Sequence, residues 1–329
     1  MTSARTAEPS SAGPEVADGI RTLTPLLGEL SDLKRVRVAG RRGSLAEQAF
    51  SRSWSRLVAG EPVAVVARTE TAAAVTGARL AGIDTAVLRR IGVDPEPVLV
   101  RAFDAVADAL PAGGRADLRQ AVVELAAGAP APDAEATAPE FVALLADQPR
   151  AGATCPGRPR LVLEPPESHG DHCWAVAVFG HLAAPLYGAE PADAFLLGLA
   201  HHLHNAVLPD AGFTGEVLLG LDVLPEVFGR LEQEALAALP VELAERIAGL
   251  LPERSAADSP VARTFHAVDV LDRVLQMVNH ARQAAFVVED ATDELELVHD
   301  GPVQGFQQDV LFAAGLPGGR PAGLDGAGA

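Results

Sequence analysis

Histidine is concentrated in one short part of this chain, where six of its nine histidines lie between His169 and His204. Five of these six fall in two neighbouring segments, residues 167–174 and 200–205, next to apolar residues at helical spacing. Side chains on two packed helices can converge on one point, and histidine is the commonest metal ligand in proteins. The sequence therefore predicts a fold that brings imidazoles together in a buried metal or acid–base site.

The rest of the chain indicates an all-α protein. Aromatic residues make up only 4% of a chain that is 48% hydrophobic, so the core must consist of Leu, Val and Ala, which favours helices. Leucines recur at helical spacing over residues 20–33, and Ser44 with Glu47 forms a capping-box signature. We predict further helices at 62–80, 96–110, 115–127, 167–187, 191–206, 214–237, 240–251, 260–285 and 303–314, and a short strand at 294–298.

Composition shifts along the chain suggest its organisation into domains. Residues 1–19 and 315–329 are predicted to be disordered tails, because they are rich in small residues, Gly and Pro. Proline-rich loops place the expected domain boundary within 128–165. We therefore expect a helical region of unknown role at 20–150 and a second domain at 160–314.

The net charge of −18 argues against binding to nucleic acid, because an acidic surface repels phosphates and the chain has no basic stripe. Binding of a small phosphorylated ligand is still compatible with this charge, since a local arginine or a metal ion outweighs the repulsion by the net negative charge. Two cysteines form no disulfide framework, and no apolar run approaches the roughly 20 residues of a membrane span. The N-terminus lacks the apolar core of a secretory signal, so we expect a soluble cytoplasmic protein.

Three segments each offer a candidate metal ligand at a border between polar and apolar residues. His172 lies three residues after His169 and borders the apolar face of its helix. An apolar run ends in the adjacent pair His201 and His202. A single histidine in such a place is more often a hydrogen-bonded core residue, but their combination favours a metal site.

Asp269 is the fourth candidate ligand, on the helix predicted at 260–285. Its neighbours are apolar, and a buried carboxylate needs a partner to offset its desolvation. That partner could be a metal ion or the side chain of Arg263 or Arg273.

These residues resemble a known family. The pattern Glu-Ser-x-x-Asp-His-x-Trp-x-Val-Ala at 167–177 is similar to the first metal-ligand helix of HD-domain metal-dependent phosphohydrolases, in particular the branch of the bacterial 5′-deoxynucleotidases. Further stretches match in order at 201–210, 239–246 and 259–271, with a weaker match at 29–36. The resemblance implies an HD-domain helical bundle over 160–290 with an additional N-terminal or inserted helical region, because residues 43–150 have no counterpart. It also implies a homodimer.

The resemblance places His172, His201 and Asp269 at metal-ligand positions. His202 stands where the family has the aspartate of its His-Asp pair, and it would bind a metal as a neutral nitrogen donor. Three imidazoles and one carboxylate favour Zn, Fe, Co or Ni over Mg. The implied cofactor is thus a divalent transition metal.

The catalytic and phosphate-binding residues depart further from the family. Asn205 replaces a glutamate of that branch and cannot act as a general acid or base. His204 or His266 is expected to take over that role. Arg35 and Arg37, in the opening helical segment, are expected to hold a substrate phosphate.

Three functions are compatible with this pattern. The first is a metal-dependent phosphohydrolase acting on a nucleotide or other small phosphate. The second is a non-catalytic HD-fold protein for binding or regulation, which the two lost acidic residues favour. The third is an HD-type iron oxygenase, although the bridging aspartate is missing and only His204 and His266 lie in the interval that supplies extra histidines.

Overall fold

The computed structural model describes residues 14–128, 138–285, 308 and 311–312. These residues form thirteen α-helices and contain no β-strand, which confirms the predicted all-α fold. The helices are α1 Pro14–Asp32, α2 Leu45–Val58, α3 Val63–Leu80, α4 Thr85–Arg90, α5 Pro95–Asp104, α6 Ala112–Ala127, α7 Glu140–Asp147, α8 His169–Tyr187, α9 Pro191–Ala200, α10 Gly212–Leu219, α11 Leu224–Leu236, α12 Val241–Leu250 and α13 Pro260–Ala285. The predicted strand at 294–298, the tail at 315–329 and most of the helix predicted at 303–314 lie outside the described residues.

Two capping boxes fix the starts of helices that matter for the site. Ser44 accepts a hydrogen bond from the N–H of Glu47 as predicted, and Ser168 does the same for Asp171 at the start of α8. At the N-terminus α1 begins at Pro14, so residues 14–19 of the predicted disordered tail are helical. Proline suits this first position because the N–H it lacks would have no partner there.

Helix α8 lies at the centre of the core, and most of its residues are buried. A helix that is apolar on nearly all sides must be surrounded, and α8 packs against α1, α2, α3, α7 and α9. Its closest partner is α9, where Gly198 faces the backbone of Ala177. A Cβ at Gly198 would meet the Ala177 backbone at 2.5 Å, so only glycine permits this approach. The close packing brings the end of α9 against the middle of α8.

The helices before residue 128 and those after residue 165 share one hydrophobic core. Leu30, Phe50 and Trp54 belong to the same buried cluster as Trp174 and Phe179. The expected boundary within 128–165 therefore does not separate two cores in the described part of the chain. Instead, one compact unit is formed by Met1–Gln276 and a second by Met277–Ala329.

None of the helices in the described residues is both long and apolar enough to cross a lipid bilayer.

Candidate metal centre

Three imidazoles converge where the start of α8 meets the turn after α9. One ring nitrogen from each of His172, His201 and His202 lies within 4.8 Å of the other two, so these side chains could hold a metal ion. The Nε2 atoms of His172 and His201 lie 3.1 Å apart. The carboxylate of Asp269 joins them from α13, with Oδ1 3.3 Å from Nε2 of His172.

The other ring nitrogen of His201 and of His172 is held by a hydrogen-bond acceptor. Nδ1 of His201 lies 2.7 Å from the carbonyl oxygen of Gly198, which can only accept, so Nδ1 carries the hydrogen. Nδ1 of His172 lies 2.7 Å from Oδ2 of Asp272. The lysine and histidine beside Asp272 lower its pKa to about 2 although burial raises it, so this carboxylate is ionised and also accepts.

The ring of His202 is likewise held by a hydrogen bond, in this case to Asn205. The amide nitrogen of Asn205 donates to the carbonyl oxygen of Leu208 at 3.1 Å, which turns its Oδ1 towards His202. Nδ1 of His202 lies 2.8 Å from that oxygen and must therefore donate. All three histidines thus carry hydrogen on Nδ1 and, when neutral, a lone pair on Nε2.

This arrangement fits a cation between the rings. Burial, reinforced by neighbouring imidazoles, lowers the pKa of His201 and of His202 well below the ordinary value of 6.5, so both are neutral near pH 7. The Nε2 atoms of His172 and His201 lie 3.1 Å apart, and a carboxylate oxygen of Asp269 lies 3.3 Å from Nε2 of His172, so these three atoms need a proton or a metal ion between them. A shared proton or a metal ion satisfies all of these acceptors at once.

Asp269 is suited to be a negatively charged ligand. Its side chain is mostly buried, and Oδ2 forms an ion pair with Arg273 at 3.1 Å, so one of the two alternative arginine partners is present. Burial raises the pKa of Asp269, but the hydrogen bond and charge of His172, with smaller effects of His201 and Arg273, hold it far below the usual range. The carboxylate therefore stays ionised while one of its oxygens faces the histidines.

Three side chains that support His172 were not predicted. Asp272 lies one turn after Asp269 on α13, and its second oxygen, Oδ1, is 2.5 Å from Nζ of Lys34. Lys34 also contacts Oε1 of Glu167 at 2.6 Å. The i, i+3 spacing of Asp269 and Asp272 was a sequence signal for the role of Asp272. The pairing with Lys34 joins residues 238 positions apart and has no local signal.

His169 is also at the centre, as its position one turn before His172 suggests. Its side chain is fully buried, its ring centre is 4.7 Å from that of His202, and neither ring nitrogen has a hydrogen-bond partner. Nε2 lies 3.7 Å from Oδ2 of Asp210. Burial, reinforced by the charge of Arg150, lowers the pKa of His169 to about 2, so the ring is neutral.

His204 lies beside the centre, with its ring 5.7 Å from that of His202. Its Nδ1 is 3.0 Å from Oε1 of Glu232, and the ring stacks on Phe228 with centroids 4.0 Å apart. Arg254 links this pair back to the histidines, because it donates to Glu232 at 2.8 Å and to the carbonyl oxygen of His201 at 2.7 Å. His204 is thus held in one orientation next to His202.

The remaining predicted residues make other contacts. Nε2 of His266 is 3.1 Å from the carbonyl oxygen of Ala256. Arg35 donates to Asp32 at 3.0 Å and to Gln276 at 2.8 Å, and Arg37 is exposed. Nothing in these contacts ties the three to the histidines, and their catalytic and phosphate-binding roles stay predictions.

Comparison with protein-family models, with curated proteins and with solved structures finds no match to this chain. The resemblance of residues 160–290 to HD-domain phosphohydrolases therefore stays a prediction, and the function has to be argued from the geometry of the site.

Proposed function

We propose that this protein is an HD-type metal-dependent phosphohydrolase that acts on a nucleotide or another small phosphate. The observation that carries the proposal is the set of three imidazoles whose Nδ1 atoms all have acceptors, which leaves their Nε2 atoms for a cation, with that of His172 3.3 Å from Asp269. Nitrogen donors with one carboxylate suit Zn, Fe, Co or Ni better than Mg.

His172, His201, His202 and Asp269 would hold the ion. A divalent metal bound there supplies Lewis acidity to a phosphoryl oxygen and makes water a better nucleophile near neutral pH. The protein contributes the orientation of the ligands: Asp272 fixes His172, Gly198 fixes His201, and Asn205 fixes His202.

We assign the phosphate of the substrate to Arg150 in place of Arg35 or Arg37. Arg150 follows an isolated β-bridge between Pro149 and Ser168, at the start of α8, and its backbone N–H donates to the carbonyl of Glu167 at 2.8 Å. Its guanidinium nitrogen Nη1 is buried without a hydrogen-bond partner. An anionic ligand would satisfy this donor, and arginine matches phosphate geometry well.

His169 is the second group that a substrate would satisfy. A neutral imidazole offers one donor and one acceptor, and both are unused in this buried ring next to His202. Asp210, whose oxygens accept from the N–H groups of Ala151 and Gly212, anchors the loop on the far side of His169. His169 thus offers unused hydrogen-bonding groups beside His202, in a chain where Asn205 supplies no carboxylate.

The experiment that tests this function begins with elemental analysis of protein purified without a histidine tag. About one equivalent of a transition metal per chain is expected, followed by release of inorganic phosphate from members of a panel of nucleoside monophosphates and sugar phosphates. His201→Gln should abolish both metal content and phosphate release. Arg56→Met, which alters a buried ion pair with Glu70 between α2 and α3, serves as the matched control and should retain both.

One observation favours a second function, that of a non-catalytic ligand-binding protein. Asn205 is engaged on both sides, by His202 and by the carbonyl of Leu208, and thus has a structural role where the family has a reactive carboxylate. Metal-loaded protein that binds phosphate compounds in equilibrium dialysis but releases no phosphate over hours would support this alternative and contradict the hydrolase.

A further inference from the structure

Lys34 is the only lysine in a chain with 26 lysine and arginine residues. It lies in the turn after α1, and its side chain is 1% exposed. The chain thus has arginine at all the remaining positions of this set and places its single lysine in the interior. A buried ammonium is costly unless it is fully paired, so this position demands a specific partner.

The partners of Lys34 are two carboxylates. Nζ lies 2.6 Å from Oε1 of Glu167 and 2.5 Å from Oδ1 of Asp272. Burial lowers the pKa of Lys34, but the charges and hydrogen bonds of Asp272 and Glu167 together outweigh it and raise the pKa above the ordinary value. The side chain is therefore a permanent cation. A compact ammonium fits between two carboxylates where a planar guanidinium needs more room.

Asp272 connects this cation to the candidate metal centre. Its Oδ1 accepts from Lys34, and its Oδ2 accepts from Nδ1 of His172 at 2.7 Å. A buried carboxylate with both oxygens engaged has one orientation, and that orientation decides which nitrogen of His172 carries the hydrogen.

The same side chains also resemble a second cation site. Glu167, His172 and Asp272 place ligand atoms within 4.8 Å of one another and could by geometry hold a metal ion. The ammonium of Lys34 already contacts both carboxylates of that group. A metal ion there would have to displace Lys34 and take Nδ1 of His172 from Asp272.

We propose that Lys34 is a positioning residue that acts through Asp272: it holds Asp272 against Nδ1 of His172, keeps metal ions away from this side of the ring, and so directs Nε2 to the ion. The inference rests on the proposed metal centre for its function. Its structural part, control of the His172 tautomer, holds without a metal.

The first test compares metal affinities, measured by competition with a chromogenic chelator. Lys34→Met and Asp272→Asn are each expected to weaken binding about 10–100-fold, the usual effect of losing an outer partner of a ligating histidine. Because Lys34 acts through Asp272, the double variant should bind no more weakly than Asp272→Asn alone. Lys34→Arg, which keeps the charge, should restore part of the affinity.

Arg56→Met is the control for a merely structural effect, since it disturbs another buried ion pair. It should lower the melting temperature and leave metal affinity unchanged. If Lys34→Met shows the same pattern, or if the losses in the double variant add, the proposal is overturned.

A second measurement does not depend on metal. Nitrogen-15 labelling of lysine gives a single Nζ signal, and labelling of histidine reports which ring nitrogen of His172 is protonated, with His172→Gln identifying the signal. In the metal-free protein we expect hydrogen on Nδ1, and in Lys34→Met a shift towards Nε2. An unchanged tautomer overturns the positioning role, whereas a changed tautomer in a protein that binds no metal refutes only the proposed function.

Discussion

The Nε2 atoms of His172 and His201 lie 3.1 Å apart, and both rings carry their hydrogen on the opposite nitrogen. Two lone pairs at this distance repel each other unless a cation lies between them. The contact therefore requires a proton or a metal ion between the two rings, and in the second case it marks a binding site.

The first prediction concerns the ligands. His172→Gln, His201→Gln and Asp269→Asn should each reduce bound metal from about one equivalent to a trace, because each removes a donor from a small set. Helical content, measured by circular dichroism, should change little. His266→Gln is the matched control, since His266 contacts the carbonyl of Ala256. Full metal occupancy in His172→Gln and Asp269→Asn would show that the ligands are assigned wrongly.

The second prediction concerns pH. A metal ion competes with protons for each imidazole. Lowering the pH therefore weakens metal binding only once the pH is below the pKa of the metal-free ring. Burial lowers the pKa of His201 and of His202 well below 6.5, and these two rings should therefore not take up protons between pH 8 and 6.5. Proton uptake by His201 and His202 should therefore not weaken metal binding over that range, and it should do so only in more acidic solution.

Competition titrations at constant ionic strength, corrected for protonation of the chelator, measure this profile. An affinity that falls steadily from pH 7.5 with the uptake of two or more protons would mean that the rings are solvated like exposed histidines, and would contradict the buried centre.

The convergence of the three histidines was predictable because its determinants are local. His201 and His202 end an apolar helix, His172 begins another, and helical spacing decides which face each side chain occupies. The capping box of Ser44 and Glu47 was predictable for the same reason. By contrast, Lys34 reaches Asp272 across 238 positions, and no pattern of spacing encodes a contact of that kind.

Predicted helices that differ from the structure do so at their ends and at glycines. The segment 214–237 was predicted as one helix, but α10 ends at Leu219 and α11 begins at Leu224. Gly220 separates them with a φ of 101°, a conformation that glycine adopts readily and a helix excludes. The apolar residues on both sides of Gly220 continue the hydrophobic pattern and conceal the break.

The third prediction concerns Asn205. Its Oδ1 accepts from Nδ1 of His202, so Asn205→Ala should release that ring and weaken metal binding about 10-fold or more. Asn205→Asp keeps an acceptor for His202 and loses only the donor to Leu208, so it should retain most of the affinity. The two variants, compared by chelator competition, separate ring orientation from catalysis. Equal affinities of Asn205→Ala and the wild type would show that His202 needs no anchor or is no ligand.

The fourth prediction concerns His169. Both of its ring nitrogens are buried without a partner, and an unsatisfied buried group costs about 1–3 kcal/mol. His169→Leu removes these groups and replaces the ring by an apolar side chain of similar volume, so the melting temperature should stay the same or rise while phosphate release falls. Thermal unfolding and phosphate assays on the same preparations check both parts. A large drop in melting temperature with unchanged turnover would indicate a purely structural histidine.

The last prediction concerns Arg150, whose buried Nη1 lacks a hydrogen-bond partner within the protein. If it holds the substrate phosphate, Arg150→Met should raise KM and the inhibition constant of inorganic phosphate together, about 10-fold or more, because charge-assisted hydrogen bonds to phosphate are the strong ones. Metal content should be unaffected, since Arg150 is not a ligand. Arg35→Met is the matched comparison: Arg35 contacts Asp32 and Gln276, and its loss should leave both constants near those of the wild type. The reverse result, a loss of phosphate affinity in Arg35→Met alone, would return the phosphate to the opening segment as the sequence resemblance implies and would leave Arg150 as a structural cation beside Glu167.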